Sequence, residues 1–230
     1  MRPVTFALLL ACGPTAACTA ESGATAPTVV ELYTSEGCSS CPPADRWLST
    51  LKGRPDVLAV AFHVNYWDHL GWQDRFATAE GTQRQRALAR ALGQANIYTP
   101  QVRVNGVDLR AGAALPAPQP SPLRLTLKHE GDEARVSVAA MATGGRLSGW
   151  WVLLEDGHAS RVRAGENAGE TLRHDHVVRL YQPTADWNAG EGLKARLALP
   201  AATRGQLRRI AFVVVDPATQ RPLQALALAC

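Results

Sequence analysis

The first half of the chain alternates short apolar runs with amphipathic segments. Residues 28–33 and 57–64 are apolar runs with the length and composition of buried strands. Between them, Pro42 or Pro43 is expected to open a helix that extends to about Leu51, because proline is tolerated in a first helical turn. The order strand, helix, strand predicts a right-handed βαβ unit with parallel strands.

A second helix and a hairpin complete this half. Residues 82–92 predict an arginine-rich helix closed by Gly93. In residues 102–109, alternating apolar residues flank Asn105 and Gly106, which is the pattern of a two-residue hairpin turn.

The second half of the chain consists almost entirely of strand patterns. Residues 115–122 alternate proline with other residues and predict an extended spacer. The strand patterns after it cover residues 123–127, 134–138, 150–154, 177–181, 193–199 and 210–215. We therefore expect an α/β domain at 27–112, a proline-rich linker at 113–122 and an all-β, sandwich-like domain at 123–230.

The chain begins with the pattern of a secretory signal. One positive charge precedes an apolar run over residues 4–11 that is too short to span a membrane. The letters LLAC, ending at Cys12, fit a lipoprotein signal that leaves a lipidated Cys12. The alternative is cleavage between Ala17 and Ala20, within a signal of residues 1–20. Both predict a protein of the periplasm or cell envelope, where disulfides persist.

Composition narrows the class of protein further. Hydrophobic residues make up 46% and charged residues 19%, which is ordinary for a globular protein. The net charge of +4 is too small to indicate a nucleic-acid partner, and export argues against one. We expect no cofactor.

The sequence Cys38-Ser39-Ser40-Cys41 lies between the first strand and the first helix. The N-terminus of a helix stabilises negative charge and lowers the pKa of a cysteine placed there. Cys38 is therefore expected to be the accessible thiolate nucleophile. Cys41, one helical turn later and shielded, would resolve a mixed disulfide formed on Cys38.

This arrangement resembles the thioredoxin fold. In that fold a cis proline precedes the hairpin and lies against the cysteine pair. Pro100, which follows Thr99, matches this proline by position. The alternative is that Pro100 is an ordinary trans proline. The fold also places a final helix beside the active-site helix, but residues 111–114 lead directly into the proline-rich stretch. The expected fold class is thus an α/β thioredoxin-like domain without its final helix, followed by an all-β sandwich-like domain that covers the open face.

Longer motifs point to one family. The segments "VVELYTSEGCSSCPPAD", "FHVNYWDHLGWQDRFA" and "YTPQVRVNG" resemble a family of bacterial secreted, thioredoxin-like proteins catalogued as domain of unknown function 1223. "GENAGE" and "HVVRLY" resemble its C-terminal part. The resemblance implies a thioredoxin-like fold and an exported location, and it supplies no substrate.

The loop after the second strand is expected near the cysteines, because neighbouring parallel strands end at the same edge of a sheet. Tyr66, Trp67 and Asp68 in this loop, with Thr99 before the hairpin, are candidate substrate-binding residues for an apolar peptide or small ligand. The alternative is that Trp67 and Trp72 cap the sheet as core.

Two more residues receive roles from the resemblance. Glu31 lies inside an apolar strand, where a carboxylate buried without a partner is costly. Thioredoxin-like proteins use a buried acid on this strand to take the proton of the second cysteine, which implies that role for Glu31; otherwise its side chain faces solvent. Pro100 is implied to hold the substrate chain by backbone contacts.

Metal binding is the weaker interpretation. His174 and His176 lie two apart on a predicted strand, but no third ligand is evident and a solvated strand face is favoured. The cysteine pair with His63 or His69 could form a four-ligand zinc or copper site, which ranks below redox chemistry without a second CxxC. We predict no metal site.

The predicted function is a periplasmic or envelope-anchored thiol–disulfide oxidoreductase. Its partners would be a protein or small thiol or disulfide substrate and a redox partner that the sequence does not name, with a lipid anchor if Cys12 is modified. The alternatives are a non-enzymatic envelope binding module with a structural disulfide and a metal carrier that uses the CxxC.

Counting cysteines gives one further prediction. If Cys12 is lipidated, Cys18 and Cys230 remain besides the CxxC pair, one near each end of the chain. Domain termini often lie close together, so we predict a Cys18–Cys230 disulfide. The alternative is that Cys18 is lost with the signal and Cys230 is free.

Overall fold

The computed structural model describes residues 17–142, 144–201 and 207–230. Cys12 and most of the predicted signal segment lie outside the described residues. The helices are α1 (Pro42–Ser49) and α2 (Ala79–Ala91), and a short 3-10 turn covers Asp68–Leu70. The strands, in chain order, are β1 (Cys18–Glu21), β2 (Thr25–Ala26), β3 (Thr28–Thr34), β4 (Val57–His63), β5 (Gln101–Val104), β6 (Val107–Leu109), β7 (Gln119–Pro120), β8 (Leu125–Glu130), β9 (Glu133–Val138), β10 (Arg146–Asp156), β11 (His158–Arg161), β12 (Thr171–His174), β13 (Val177–Pro183), β14 (Trp187–Asn188), β15 (Leu193–Ala198), β16 (Leu207–Val215) and β17 (Pro222–Leu228).

One large mixed sheet organises the molecule. Its strand order is β17-β16-β10-β13-β4-β3-β5-β6, and β14 pairs with the outer part of β10. The pairs β3–β4 and β4–β13 are parallel, and the others in this order are antiparallel. Every residue of β3 and β4 is buried, which is typical of parallel strands that are covered on both faces.

The expected fold class, a separate thioredoxin-like domain followed by a sandwich, is wrong. Strands make up 44% of the structure and helices 12%, and four strands from beyond the proline-rich stretch extend the sheet that contains β3 and β4. The two halves of the chain meet where β13 pairs with β4. Ala61 pairs with Val177, and the Ala61 N–H donates to the His176 carbonyl over 2.8 Å. Without β13, β4 would be an edge strand with unpaired backbone N–H and C=O groups. The pairing with β13 gives these groups hydrogen-bond partners.

A smaller sheet, formed by β1 and three strands of the second half, packs on one face of the large sheet. It is four-stranded and antiparallel, in the order β1-β8-β9-β15. Its inward side chains, such as Leu127 and Val136, share a core with Trp151, Leu153 and Phe212 of the large sheet. A sandwich-like packing is therefore present, but one of its two layers is continuous with the α/β half.

Several local predictions are confirmed. Helix α1 begins at Pro42, as predicted. Helix α2 begins three residues before the predicted Thr82, after Thr78, whose hydroxyl accepts the N–H of Gly81 over 3.0 Å. Asn105 and Gly106 have φ angles of 47° and 82°, as a two-residue hairpin turn between β5 and β6 requires. Neither helix of the described chain has the length and hydropathy needed to cross a bilayer.

The helices cover opposite faces of β3 and β4. Val30 and Leu32 pack against Ala44 and Leu48 of α1, while the alternate positions of β3 face a second core that includes Leu88 of α2. Residues 110–118 contain no helix or strand. The flank of α1 is instead contacted by β12 of the β11–β12 hairpin, which belongs to the second half.

Candidate functional site

The cysteine pair lies where the sequence predicts it, between β3 and α1. Cys38 and Cys41 form a disulfide with their Cα atoms 5.4 Å apart. Cys41 caps α1, and its carbonyl accepts the N–H groups of Ala44 and Asp45. Both cysteines are 0% exposed in this disulfide form. The accessibility of the reduced Cys38 thiol stays a prediction.

A loop from the second half covers the pair. We call residues 162–170, between β11 and β12, the cover loop. The Asn167 side-chain amide donates to the Glu36 carbonyl over 2.9 Å and to the Cys38 carbonyl over 3.0 Å. The Glu166 carboxylate accepts the Ser39 N–H over 3.0 Å. The "GENAGE" motif therefore closes over the cysteine turn, a contact between residues 127 to 131 positions apart that sequence reasoning missed.

Trp67 connects the cysteine turn to the loop that precedes β5. A Cβ atom on Gly37 would lie 3.0 Å from the Trp67 Cβ, so the two residues are in close contact. The Trp67 indole N–H donates to the Thr99 hydroxyl over 2.7 Å. The peptide between Thr99 and Pro100 is cis, which confirms that prediction. Because β5 runs antiparallel to β3, Pro100 lies at the same sheet edge as Cys38.

The other two candidate binding residues take part in the walls of this region. Tyr66 is partly exposed and its hydroxyl donates to Gln85 over 3.3 Å. Burial raises the pKa of the Tyr66 hydroxyl. The Asp68 carboxylate accepts the N–H of Asp74 over 3.3 Å, and burial raises its pKa. Tyr66 and Trp67 also pack against the core, and a binding role for this aromatic loop stays a prediction.

Glu31 is buried in a charged cluster on the sheet face opposite α1. Its carboxylate accepts the Arg84 Nε–H over 2.8 Å and the Tyr33 hydroxyl over 2.9 Å. Burial and the Glu31 charge raise the pKa of Tyr33 well above its usual range. Burial alone would lower the pKa of Arg84, but Glu31 raises it, so the guanidinium stays charged. Glu31 thus has a buried counter-ion, and its proton-transfer role stays a prediction.

A different carboxylate lies on the cysteine side of the sheet. Asp45 is four residues after Cys41 on α1, which places the two side chains on one helix face, with Cβ atoms about 5–6 Å apart. It is buried and accepts the Thr34 hydroxyl over 3.2 Å. Burial raises the pKa of Asp45, although His174 and His63 act in the opposite direction. Sequence reasoning missed this residue, and its spacing from Cys41 was the available signal.

Asp45 borders a buried group of histidines and carboxylates. The His63 Nδ1 lies 2.6 Å from the Asp74 Oδ2, which also accepts the N–H of Glu36 over 2.9 Å. Burial raises the pKa of Asp74, but His63 outweighs it and lowers the value to about 2. Burial lowers and Asp74 raises the pKa of His63, with a net upward direction. His63 and Asp74 therefore form a buried pair in which each side chain favours the charged form of the other.

The remaining histidines differ from the prediction. The expected solvated strand face is wrong, since His174 and His176 are both buried. His174 lies 3.2 Å from Glu36 and stacks edge-on to His63, whereas His176 contacts Arg209 over 2.7 Å. Burial and Arg209 lower the pKa of His176 to about 4. In the part of the chain that the structure describes, no group of three or more His, Cys, Asp or Glu residues could hold a metal ion.

The Cys18–Cys230 disulfide is present, with its Cα atoms 6.1 Å apart, which confirms that prediction. It joins β1 of the four-stranded sheet to the end of the chain after β17. The two cysteines are 212 positions apart in the sequence, so this disulfide closes a loop that contains most of the chain.

Two solved structures share the fold. An X-ray crystal structure of the protein AGR_C_4864 from Agrobacterium tumefaciens aligns with a TM-score of 0.67 and 26% identity, over 90% of this chain and 96% of that one. The structure of HBP35 of Porphyromonas gingivalis aligns with a TM-score of 0.63 and 17% identity, over 90% of this chain and 76% of that one. At 17% identity the second likeness concerns the fold alone.

Sequence comparison leads to a family without an assigned activity. None of the curated proteins matches the chain. A family model described as "Protein of unknown function (DUF1223)" matches residues 29–215, a span that includes the cysteine pair, the cover loop and most of the large sheet. The chain therefore belongs to the DUF1223 family.

Proposed function

We propose that the protein is a thiol–disulfide oxidoreductase of the periplasm or cell envelope that exchanges disulfides through Cys38 and Cys41. The observation that carries the proposal is the Cys38–Cys41 disulfide at the start of α1 with the buried Asp45 one turn behind it. A location outside the cytoplasm is supported by two disulfides in one chain.

The exchange runs in two steps when the reduced protein meets a disulfide substrate. The Cys38 thiolate, stabilised at the N-terminal end of α1, attacks one substrate sulfur, and the other substrate sulfur leaves as a thiolate. The Cys41 thiol then gives its proton to a carboxylate, and its thiolate attacks Cys38. The second substrate thiolate leaves, so the substrate gains two electrons and the protein ends as the disulfide.

We assign the proton acceptor to Asp45 in preference to Glu31. Asp45 shares a helix face with Cys41, is buried, and is held by one hydroxyl group. A carboxyl whose pKa is raised by burial is a suitable proton acceptor near neutral pH. Glu31 lies on the other face of the sheet and is paired with Arg84. The partly exposed Tyr66, Trp67, Thr99 and Pro100 are proposed to border the substrate chain.

The reduction potential of the Cys38–Cys41 pair tests the function. The protein is equilibrated in glutathione buffers, alkylated, and the redox state of each cysteine pair is read by peptide mass spectrometry. We expect a potential within about −270 to −120 mV, the range of known exchangers. A value below about −300 mV would identify a structural disulfide and would end the proposal.

Complete burial of the pair favours a second candidate, a non-enzymatic envelope module with a permanent disulfide. Trapping distinguishes the two. A Cys41→Ser variant leaves mixed disulfides stalled on Cys38 if the pair exchanges, and a Cys38→Ser variant is the matched control. Equal amounts of captured thiol in both variants would favour the non-enzymatic module.

A further inference from the structure

We propose that Cys18–Cys230 is a second thiol–disulfide exchange site, in which His129 stabilises the Cys230 thiolate. The proposal goes beyond the function assigned to the CxxC pair, because it concerns the other disulfide, on another sheet. In contrast to the buried CxxC pair, Cys230 is exposed and Cys18 is partly exposed. Attack by an external thiol at this disulfide therefore needs no displacement of a covering loop.

The position of His129 is set by the ladder of the small sheet. Residue 129 on β8 lies directly opposite Cys18 on β1. Its ring also reaches the end of the chain, where Nδ1 lies 3.3 Å from the Cys230 Sγ. The strand pairing thus places His129 beside Cys18, and its ring reaches Cys230.

The hydrogen bond made by Nε2, the other ring nitrogen of His129, determines the tautomer of the neutral imidazole. The His129 Nε2 lies 2.9 Å from the carbonyl oxygen of Gly131. A carbonyl can only accept, so Nε2 carries the hydrogen in the neutral ring. Nδ1 is then an acceptor that faces Cys230. After reduction, Nδ1 takes the proton of the Cys230 thiol, which gives a thiolate–imidazolium pair with the Gly131 carbonyl accepting from Nε2–H.

This arrangement decides which sulfur leaves. A thiol beside a histidine has a lowered pKa, and a low-pKa thiolate is the better leaving group in disulfide exchange. A substrate thiolate attacks the Cys18 sulfur, the Cys18–Cys230 bond breaks, and its electron pair goes to Cys230. A second substrate thiolate attacks the mixed disulfide and releases Cys18. The substrate dithiol is oxidised to a disulfide, and the protein gains two electrons and two protons; a second disulfide compound regenerates it.

The substrate class follows from the adjoining cleft. A cleft of about 700 Å³ opens beside Cys230 and His129. Its apolar lining includes Leu153, Leu207 and Ile210. A cysteine-containing peptide with apolar residues beside its cysteines fits this lining. The charged groups around the cleft are Asp132, Asp156, Arg208 and Arg209.

Timed reduction of the wild-type protein is the first test. The oxidised protein is treated with dithiothreitol, quenched by alkylation at intervals, and mapped by mass spectrometry. We expect Cys18–Cys230 to open at least about tenfold faster than Cys38–Cys41, because it is exposed and has the better leaving group. Opening of Cys38–Cys41 first would overturn the proposal.

The role of His129 needs a readout that a purely structural residue would not change. In reduced protein, alkylation of Cys230 is followed across a pH series. We expect Cys230 to react at pH values well below the usual thiol pKa of about 8.5. In a His129→Gln variant, the midpoint of the pH profile should shift towards that value. Lys128→Gln, an exposed change on the same strand, is the control. An unchanged pH profile in His129→Gln would reject the assignment.

A last measurement separates this site from the CxxC pair. A Cys38→Ser/Cys41→Ser variant retains Cys18–Cys230 and is mixed with a reduced peptide carrying two cysteines flanked by leucines. We expect peptide oxidation faster than with the same peptide flanked by serines. We expect none when Cys18→Ser and Cys230→Ser are added to the Cys38→Ser/Cys41→Ser variant. Failure here with normal exchange at Cys38 would remove this proposal alone.

Discussion

Loss of the Asn167 amide should expose the CxxC pair. In an Asn167→Ala variant the cover loop loses both hydrogen bonds that join it to the Glu36 and Cys38 carbonyls. Both carbonyls lie in a buried turn, and local opening of the loop is the route by which a reductant reaches Cys38.

The magnitude follows from these two bonds. A neutral hydrogen bond contributes about 0.5–1.5 kcal/mol net, so two of them lower the free energy of opening by about 1–3 kcal/mol when lost. This range corresponds to about a 5- to 150-fold larger open population. If the loop recloses faster than the thiol attacks, the reduction rate of Cys38–Cys41 rises by the same factor.

The assay is timed reduction by dithiothreitol with an alkylation quench and mass spectrometry. Cys18–Cys230 serves as an internal reference, and its rate should not change. Glu166→Gln is the matched control, since an amide oxygen can still accept the Ser39 N–H at this exposed position; we expect a rate within about twofold of wild type. If Asn167→Ala also stays within about twofold, while unfolding by urea shows an intact fold, the cover loop does not limit access and the reasoning is refuted.

Three further predictions concern proton transfer, pH and the second disulfide. Asp45→Asn should lengthen the lifetime of a Cys38–glutathione mixed disulfide by at least about tenfold at pH 7, because the Cys41 proton loses its acceptor. Glu31→Gln should leave that lifetime unchanged. The reverse result would return the role of proton acceptor to Glu31. Asp74 has a native pKa of about 2, below its unfolded value, so its stabilisation of about 2 kcal/mol is present above about pH 4 and is lost as pH falls from 4 to 2. Urea unfolding at several pH values should show this loss in the wild type and a smaller one in Asp74→Asn. Removing the Cys18–Cys230 disulfide with Cys18→Ser/Cys230→Ser should lower the free energy of unfolding by about 2–5 kcal/mol, measured by urea titration. No change would show that the disulfide does not constrain the unfolded chain.

Local chemistry determined the elements around the cysteine pair. Pro42 begins α1 since its missing N–H costs nothing in a first turn, and Asn105-Gly106 specifies the hairpin because both residues accept positive φ. The Cys18–Cys230 bridge followed from the number of cysteines and the predicted export, and the structure bears the bridge out. These inferences need only neighbours in sequence or a count of reactive groups.

Strand partners were decided only by the tertiary structure. An apolar run predicts a buried strand but not its neighbour, so the pairing of β13 with β4 could not be foreseen. The expectation of two separate domains failed at that point, because the second half provides the strand that completes β4. The DUF1223 resemblance, by contrast, identified the family from its motifs.

The same physical reason applies to the site. Asn167 reaches Cys38 across 129 positions, and His174 meets His63 only because the β11–β12 hairpin lies on α1. Such contacts depend on sheet register and loop placement, which residue patterns along the chain do not encode. The sequence by itself determined that a cysteine pair begins a helix after a buried strand; the assembled sheet decided which carboxylate lies behind it and which loop covers it.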